Sequence, residues 1–192
     1  MENFLTEDQK IKARSHKLLI WFGMISIVMV FAGLISAFIV SSSRKDWFDD
    51  VVMPSGFLWS TFIIIISSIT FQMALKSIKK SDRKMTTILL WSTLLLGILF
   101  AILQFYGFKQ FTEQGFYVTG PSSNVTVSLI IIVVFMHLVH LFGGLISLLV
   151  IIYNHYKQKY NKVQVSGIEA GIIYWHFLGF LWILLFAFFY TR

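Results

Sequence analysis

Five long runs of apolar residues, separated by polar connections, organise the chain: 18–40, 56–75, 86–106, 125–153 and 171–190. Each supplies the roughly 20 residues that a helix rising about 1.5 Å per residue needs to cross a hydrocarbon core of about 30 Å. None carries the wide polar stripe of a helix lying on a soluble domain. A closed β-barrel would leave shorter segments of alternating polarity. The pattern predicts an all-α fold, a single membrane domain over 1–192 built as a bundle of five transmembrane helices. The first run follows seventeen mostly polar residues, is too long for a secretory signal and lacks a small-residue cleavage site, so it is expected to remain as a helix.

Composition sharpens this picture. Hydrophobic residues make up 57% of the chain and charged residues only 13%, about half the share usual in a soluble domain. The absence of Cys removes disulfides, thiolate metal sites and cysteine nucleophiles together. A net charge of +7 raises the question of nucleic acid, and the placement of the charge answers it. Twelve of the 16 Lys and Arg lie in the amino-terminal tail and in the second and fourth connections, against Arg44, Lys45, Lys109 and Arg192 on the other side. Short basic loops stay cytoplasmic, which predicts a cytoplasmic amino terminus and an external carboxyl terminus with no nucleic-acid partner. The one long loop is expected at 107–124.

Polar groups at membrane depth are costly and call for a partner or a function. In the fourth run, spacings of three, seven and ten put His137, His140, Gly144 and Ser147 on one helical face, with Ile, Val, Leu and Phe elsewhere. In the fifth, Glu169 stands at the mouth and His176 about a turn and a half inside. Three readings compete: helix packing or lipid contact, axial ligation of a haem, and a metal or proton relay. The haem reading would make the chain a b-type anchor of a quinol-oxidising complex, using His140 and His176. The unequal depths of the histidines disfavour it, and no carboxylate falls at helical spacing from either residue to complete a metal site. Packing is the preferred reading. Small residues at Ala32-Gly33 and Ser36-Ala37 in the first run are likewise expected to pack helices. Gln72 and Gln104 are expected to be satisfied by neighbouring helices, and Ser67-Ser68 to bond back to helix carbonyls. No nucleophile–base pair is present, so no catalytic residue is assigned, and without an inverted repeat or broken helix a transporter is disfavoured.

Three motifs together carry a family resemblance. Tyr174-Trp175-His176-Phe177 with Trp182 resembles the Tyr-Trp-His-Phe-Val-Asp-x-x-Trp block of subunit III of the haem-copper cytochrome c oxidases, with Glu169 aligned to the Glu that precedes it. His137-x-x-His140 with Gly144 is similar to that family's His-x-x-His-x-x-x-Gly, and the stretch from Ser26 to Ser43 resembles its first helix, with Phe31 and Gly33 in register. The resemblance runs from about Trp21 to Tyr190 and fits the five-helix bacterial form. Departures are specific. The family's acid in the first helix falls on Ile27, the Asp of the last block on Gly179, and Gln104 is followed by Tyr106 and Gly107 where an acid is usual.

The resemblance implies an accessory subunit of a terminal oxidase in the aerobic respiratory chain, in the bacterial inner membrane. It would hold no cofactor, with haem and copper in partner subunits. It would pack directly on subunit I, with subunit II and other respiratory complexes in a supercomplex as further partners, and support oxygen reduction and proton uptake. The resemblance also implies bound phospholipid, in a cleft between the first two helices and the last three. The residues expected to line that cleft are Gly33, Ala37 and Trp59 on one side and His137, His140 and Trp175 on the other. Arg44 or Lys45 would hold the head group, and Phe31, Phe38 and the Phe-rich fifth helix would lie along the acyl chains.

Overall fold

The computed structural model describes residues 7–45, 47, 52–116, 125–161 and 164–191, with the side chains of 7–14, 16 and 17 outside it. The basic side chains of Lys10, Lys12, Arg14 and Lys17, and residues Lys162 and Arg192, therefore lie outside the described residues. Five helices follow one another: α1 (Glu7–Ser41), α2 (Ser55–Lys79), α3 (Arg83–Glu113), α4 (Val125–Tyr156) and α5 (Ser166–Tyr190). Each is long and apolar enough to cross a membrane, α1 through its Leu18–Ser41 part.

Local chemistry sets the helix ends. Pro54, which cannot extend a helix backward, stands at the start of α2, and the Asp82 side chain caps α3 by accepting from the Met85 N–H at 3.0 Å. Helices α2, α3 and α4 all close with one left-handed residue, at Ser81, Gly115 and Gln158. Around each, two crossed backbone bonds recapture the last carbonyls, for instance Gly115 to Thr112 and Phe116 to Phe111. Helix α3 runs to Glu113, so 107–113, expected as loop, is helical: Gly107 and Phe111 are buried and Phe108 packs on the core. Gln110 holds this last stretch, accepting from the Gly56 N–H at 3.1 Å and donating to Ser55 Oγ at 3.0 Å. It thereby satisfies an amide that the first turn of α2 leaves open.

Helices α2 and α3 form the tightest pair, and α3, α4 and α5 continue around a ring that closes where α5 meets α2. Helix α1 lies outside this four-helix ring and touches only α4 and α5 among the described residues. It buries a single seven-residue stripe of Met24, Phe31 and Phe38, a spacing that brings side chains back to one face every two turns. Phe38 ends in an aromatic cluster with Trp47 (4.9 Å between centroids) and Phe189 (5.3 Å), which ties α1 to the end of α5. At the face carrying Lys79, Arg83 and Lys157, the α3–α4 seam is fastened by Arg83 to the Tyr160 carbonyl at 2.9 Å and by Thr87 to His155 at 2.9 Å.

This arrangement corrects two expectations. Helices α1 and α2 are not neighbours and do not form one wall of a cleft: α2 packs on α3 and α5, and α1 on α4 and α5. Ala32, Gly33, Ser36 and Ala37 are not the packing side of α1. All four are exposed, and a β-carbon on Gly33 would meet nothing within 4 Å. The bulky stripe wins because its rings fill the seam with α4 and α5, and dispersion grows with the number of atoms in contact.

Candidate functional site

The bundle interior is held by two indoles and the small polar residues they reach. Trp175 and Trp182 are fully buried, seven residues apart on α5. The Trp175 N–H donates to Ser67 Oγ at 3.2 Å, and the Trp182 N–H donates to Thr61 Oγ1 at 2.9 Å. Ser67 in turn donates to the Thr93 carbonyl at 3.4 Å, and the Thr70 and Thr93 hydroxyls pair at 2.9 Å. In a bilayer no water reaches such groups, so α2, α3 and α5 satisfy one another. Ser67 therefore bonds across to neighbouring helices rather than back into its own, contrary to the sequence expectation. Gln104 donates to Ser60 Oγ at 2.8 Å, as an amide supplied by a neighbouring helix.

Of the face predicted on the fourth helix, His137 and Gly144 turn inward, while His140 and Ser147 are half-buried. His137 is fully buried beside Trp182 (5.3 Å between centroids), Phe100 (5.9 Å) and Phe31 (6.4 Å). It is a packing residue, enclosed by rings from α1, α3 and α5. Gly144 lets α5 approach: a β-carbon there would stand 3.1 Å from Leu178 and 3.4 Å from Trp175. His140 is half-buried, its Nδ1 2.7 Å from the Met136 carbonyl and its ring 5.6 Å from that of Phe31. The Tyr174 hydroxyl donates to the His140 carbonyl at 3.1 Å, a second tie between α4 and α5.

His176 faces a different interface. Its Nε2 lies 3.3 Å from Gln72 Oε1 on α2. His140 meets α1 and His176 meets α2, so the pair needed for a bis-histidine haem is not brought together. Among the described residues no three His, Cys, Asp or Glu cluster as a metal site. Glu169 is paired with Lys79 at 2.9 Å, bridging α5 to α2 at the basic face. Trp59 is exposed, its ring 6.1 Å from Phe62, and Arg44 sits in the turn after α1, where its carbonyl accepts from Trp47.

These positions break up the expected lipid constellation. Phe31 and Phe38, predicted to lie along acyl chains, are 1% and 3% exposed, and His137 and Trp175 are buried inside the ring. Gly33 on α1, Arg44 in the turn after it and Trp59 on α2 all stay at the surface. Of the residues that hold the bundle, Ser60, Thr61, Thr93 and Gln110 were missed because hydroxyls and amides scattered singly through apolar runs carry no spacing signal of their own.

Comparison with known proteins gives the geometry a family. Residues 6–192 match cytochrome c oxidase subunit III. Subunit 3 of the cytochrome bo(3) ubiquinol oxidase of Buchnera aphidicola subsp. Acyrthosiphon pisum is 27% identical over 176 residues, covering 90% of this chain and 84% of that protein. A probable cytochrome c oxidase subunit 3 of Nocardia farcinica is 28% identical, covering 88% of this chain and 83% of its own length. Cytochrome c oxidase subunit 3 of Drosophila yakuba is 33% identical over 129 residues, which span 67% of this chain and 47% of the fly protein. With nearly its whole length matched, the chain belongs to the cytochrome c oxidase subunit III family of the haem-copper terminal oxidases.

Proposed function

We propose that this chain is a non-catalytic subunit of a proton-translocating terminal oxidase, packed directly on the catalytic subunit I in a bacterial inner membrane. The observation that carries the reading is the family match over residues 6–192. The interior agrees with it: buried Ser60, Ser67, Thr93 and Gln104 bond across to neighbouring helices, and His140 and His176 point into separate interfaces. In this reading haem and copper belong to partner subunits, and subunit II and other respiratory complexes complete the assembly. The amino terminus is cytoplasmic and the carboxyl terminus external, from the bias of basic residues. Relatives named for ubiquinol and for cytochrome c both match, so the electron donor is a property of the partner subunits.

Helix α1 is the natural docking element, because it lies outside the ring and buries only one stripe. Ile27 and Gly179 stand where the family carries acids. A proton-linked role of those acids is not available to this chain through the same groups, while the packing role needs no acid. The test is affinity purification of the tagged chain from its native membrane in mild detergent. Co-purification of a haem- and copper-containing subunit in stoichiometric amount is expected, and recovery without any such partner contradicts the reading.

A further inference from the structure

Ser68, Gln72 and Lys76 recur every four residues along α2 and so share one helical face. That face lines a groove of about 410 Å³ on the outside of the bundle, where α2 meets α5. His176 and Gly179 of α5 line it as well, and Ile65, Ile69, Phe180 and Ile183 supply most of the apolar wall. The glycine keeps the groove open beside Ser68, because a β-carbon at position 179 would stand 3.3 Å from Ser68 Oγ. Concave, largely apolar spaces of roughly 300–1,000 Å³ with a few convergent polar groups are the usual form of a small-molecule site.

The protein leaves hydrogen-bond donors unused in this groove. His176 Nε2 lies 3.3 Å from Gln72 Oε1. An amide oxygen only accepts, so the imidazole donates and the Gln72 amide nitrogen keeps both of its N–H groups. Among the described residues neither that nitrogen nor the Ser68 hydroxyl has a hydrogen-bonding partner. Gln72 lies seven residues before the end of α2 at Lys79, about 10 Å in from the basic face, and Ser68 is one turn deeper. Water does not supply acceptors at that depth, so a ligand that brings its own gains from both groups.

These donors select the occupant. An acyl chain would cover Ser68 and Gln72 without offering either an acceptor. The backbone acceptors of a partner's transmembrane helix are already satisfied within that helix. The groove is also too short for such a helix, covering only about 16 Å from Ile65 to Lys76 against a hydrocarbon core of about 30 Å. A flat ring with a carbonyl oxygen at each of two opposite edges fits better. Ser68 and Gln72 are about one helical turn of about 5.4 Å apart, close to the separation of those two oxygens. Phe180 offers the ring an aromatic neighbour, and Ile65 and Ile183 offer an apolar run for a tail.

We propose that the α2–α5 groove binds a membrane quinone, whose carbonyl oxygens accept from Gln72 and Ser68 and whose tail lies along Ile65 and Ile183. The quinone is an exchangeable guest and not a resident centre of this chain. The proposal rests on the membrane placement above and not on the electron donor of the catalytic subunit.

The test is photolabelling of the intact complex in phosphatidylcholine nanodiscs with short-tailed azido-quinones, one of benzoquinone and one of naphthoquinone type. Mass spectrometry then maps the labelled peptides. At least one probe is expected to label residues 64–76 or 176–183. Excess of the parent quinone should suppress that label, and phosphatidylglycerol should not. Gln72→Leu should lower labelling about fivefold or more, and Ser68→Ala about threefold, each through one lost hydrogen bond. Gly179→Leu, by filling the groove, should abolish it. If Gly179→Leu fails to assemble, the two milder variants decide. Absence of label from both segments, labelling unchanged in Gln72→Leu and Ser68→Ala, or equal competition by phosphatidylglycerol would each overturn the proposal. A chain that purifies without oxidase subunits contradicts the proposed function alone, since the same labelling can be read on the full chain by itself.

Discussion

The indole N–H of Trp175 donates to the Ser67 hydroxyl at 3.2 Å, joining α5 to α2 across 108 positions of sequence. The far edge of the same ring stands over α3, where a β-carbon on Gly97 would meet it at 2.8 Å, and its other side lies against Gly144 of α4. One side chain thus sets the distances among the four helices of the ring. Two glycines give it room, and a serine satisfies its donor.

Substitutions at the glycines should therefore divide sharply. Gly97→Ala must displace both Trp175 and Leu145, and Gly107→Ala must displace the Phe57 ring. Each should destabilise by about 1–3 kcal/mol, the usual cost of overpacking. Gly33→Ala, with open space around it, should leave the isolated chain unchanged or raise its stability by up to about 1 kcal/mol through helix propensity. Unfolding of the purified variants in detergent measures the contrast. Equal effects at Gly97 and Gly33 would contradict the packing described.

His137 gives a second test. It is fully buried among three aromatic rings, and neither ring nitrogen has a hydrogen-bonding partner among the described residues. A buried polar group without a partner costs about 1–3 kcal/mol, so an apolar replacement of similar volume should be tolerated. His137→Leu is expected to change stability by less than about 1.5 kcal/mol and to leave the oxidase's haem spectrum and initial oxygen consumption intact. Prompt loss of haem in that variant would reopen a ligand role.

How far the sequence revealed these features depended on which physical signal each one leaves. The five spans were legible because crossing a bilayer demands unbroken apolar length, and part of the inward side of α4 because His137 and Gly144 stand seven apart on one face; His140 and Ser147, read onto the same face, are only half-buried. The packing face of α1 was not. In lipid both faces of a helix are apolar, so hydropathy cannot separate the Met24–Phe31–Phe38 stripe from the Gly33 side. The extension of α3 to Glu113 was hidden by Lys109 and Gln110: Gln110 bonds the first turn of α2, and exposed Lys109 pairs with Glu113 of its own helix. The left-handed closures at Ser81 and Gln158 carried no glycine to announce them. The ties from Trp175 to Ser67 and from Trp182 to Thr61 join residues more than 100 apart, which no local pattern encodes.

Alkaline stability should depend on Tyr160, outside the membrane spans. Burial raises its phenol above the ordinary 10.0, with a hydrogen bond from Asn154 opposing. A group raised on folding contributes fully below its unfolded value and loses that contribution as pH climbs through the folded one. Wild-type stability should thus fall above about pH 10 more steeply than that of Tyr160→Phe, which has no proton to lose. Thermal unfolding of both proteins across that range reads the difference. A gap between them that stays constant with pH would count against the buried phenol.

Orientation follows from charge and can be read directly. Reporter fusions after Lys84 and after Arg192 should land on opposite sides of the membrane, cytoplasmic and external respectively. Finding both on one side would mean that one of the five helices does not cross.

The account's central claim is that this oxidase subunit carries no redox centre of its own. The visible spectrum of the chain expressed and purified alone, compared with that of the complex it joins, tests this most directly. The account predicts no Soret absorbance from the isolated chain and a full haem spectrum in the complex. A stoichiometric Soret band in the isolated chain, abolished by His140→Ala or His176→Ala, would contradict it.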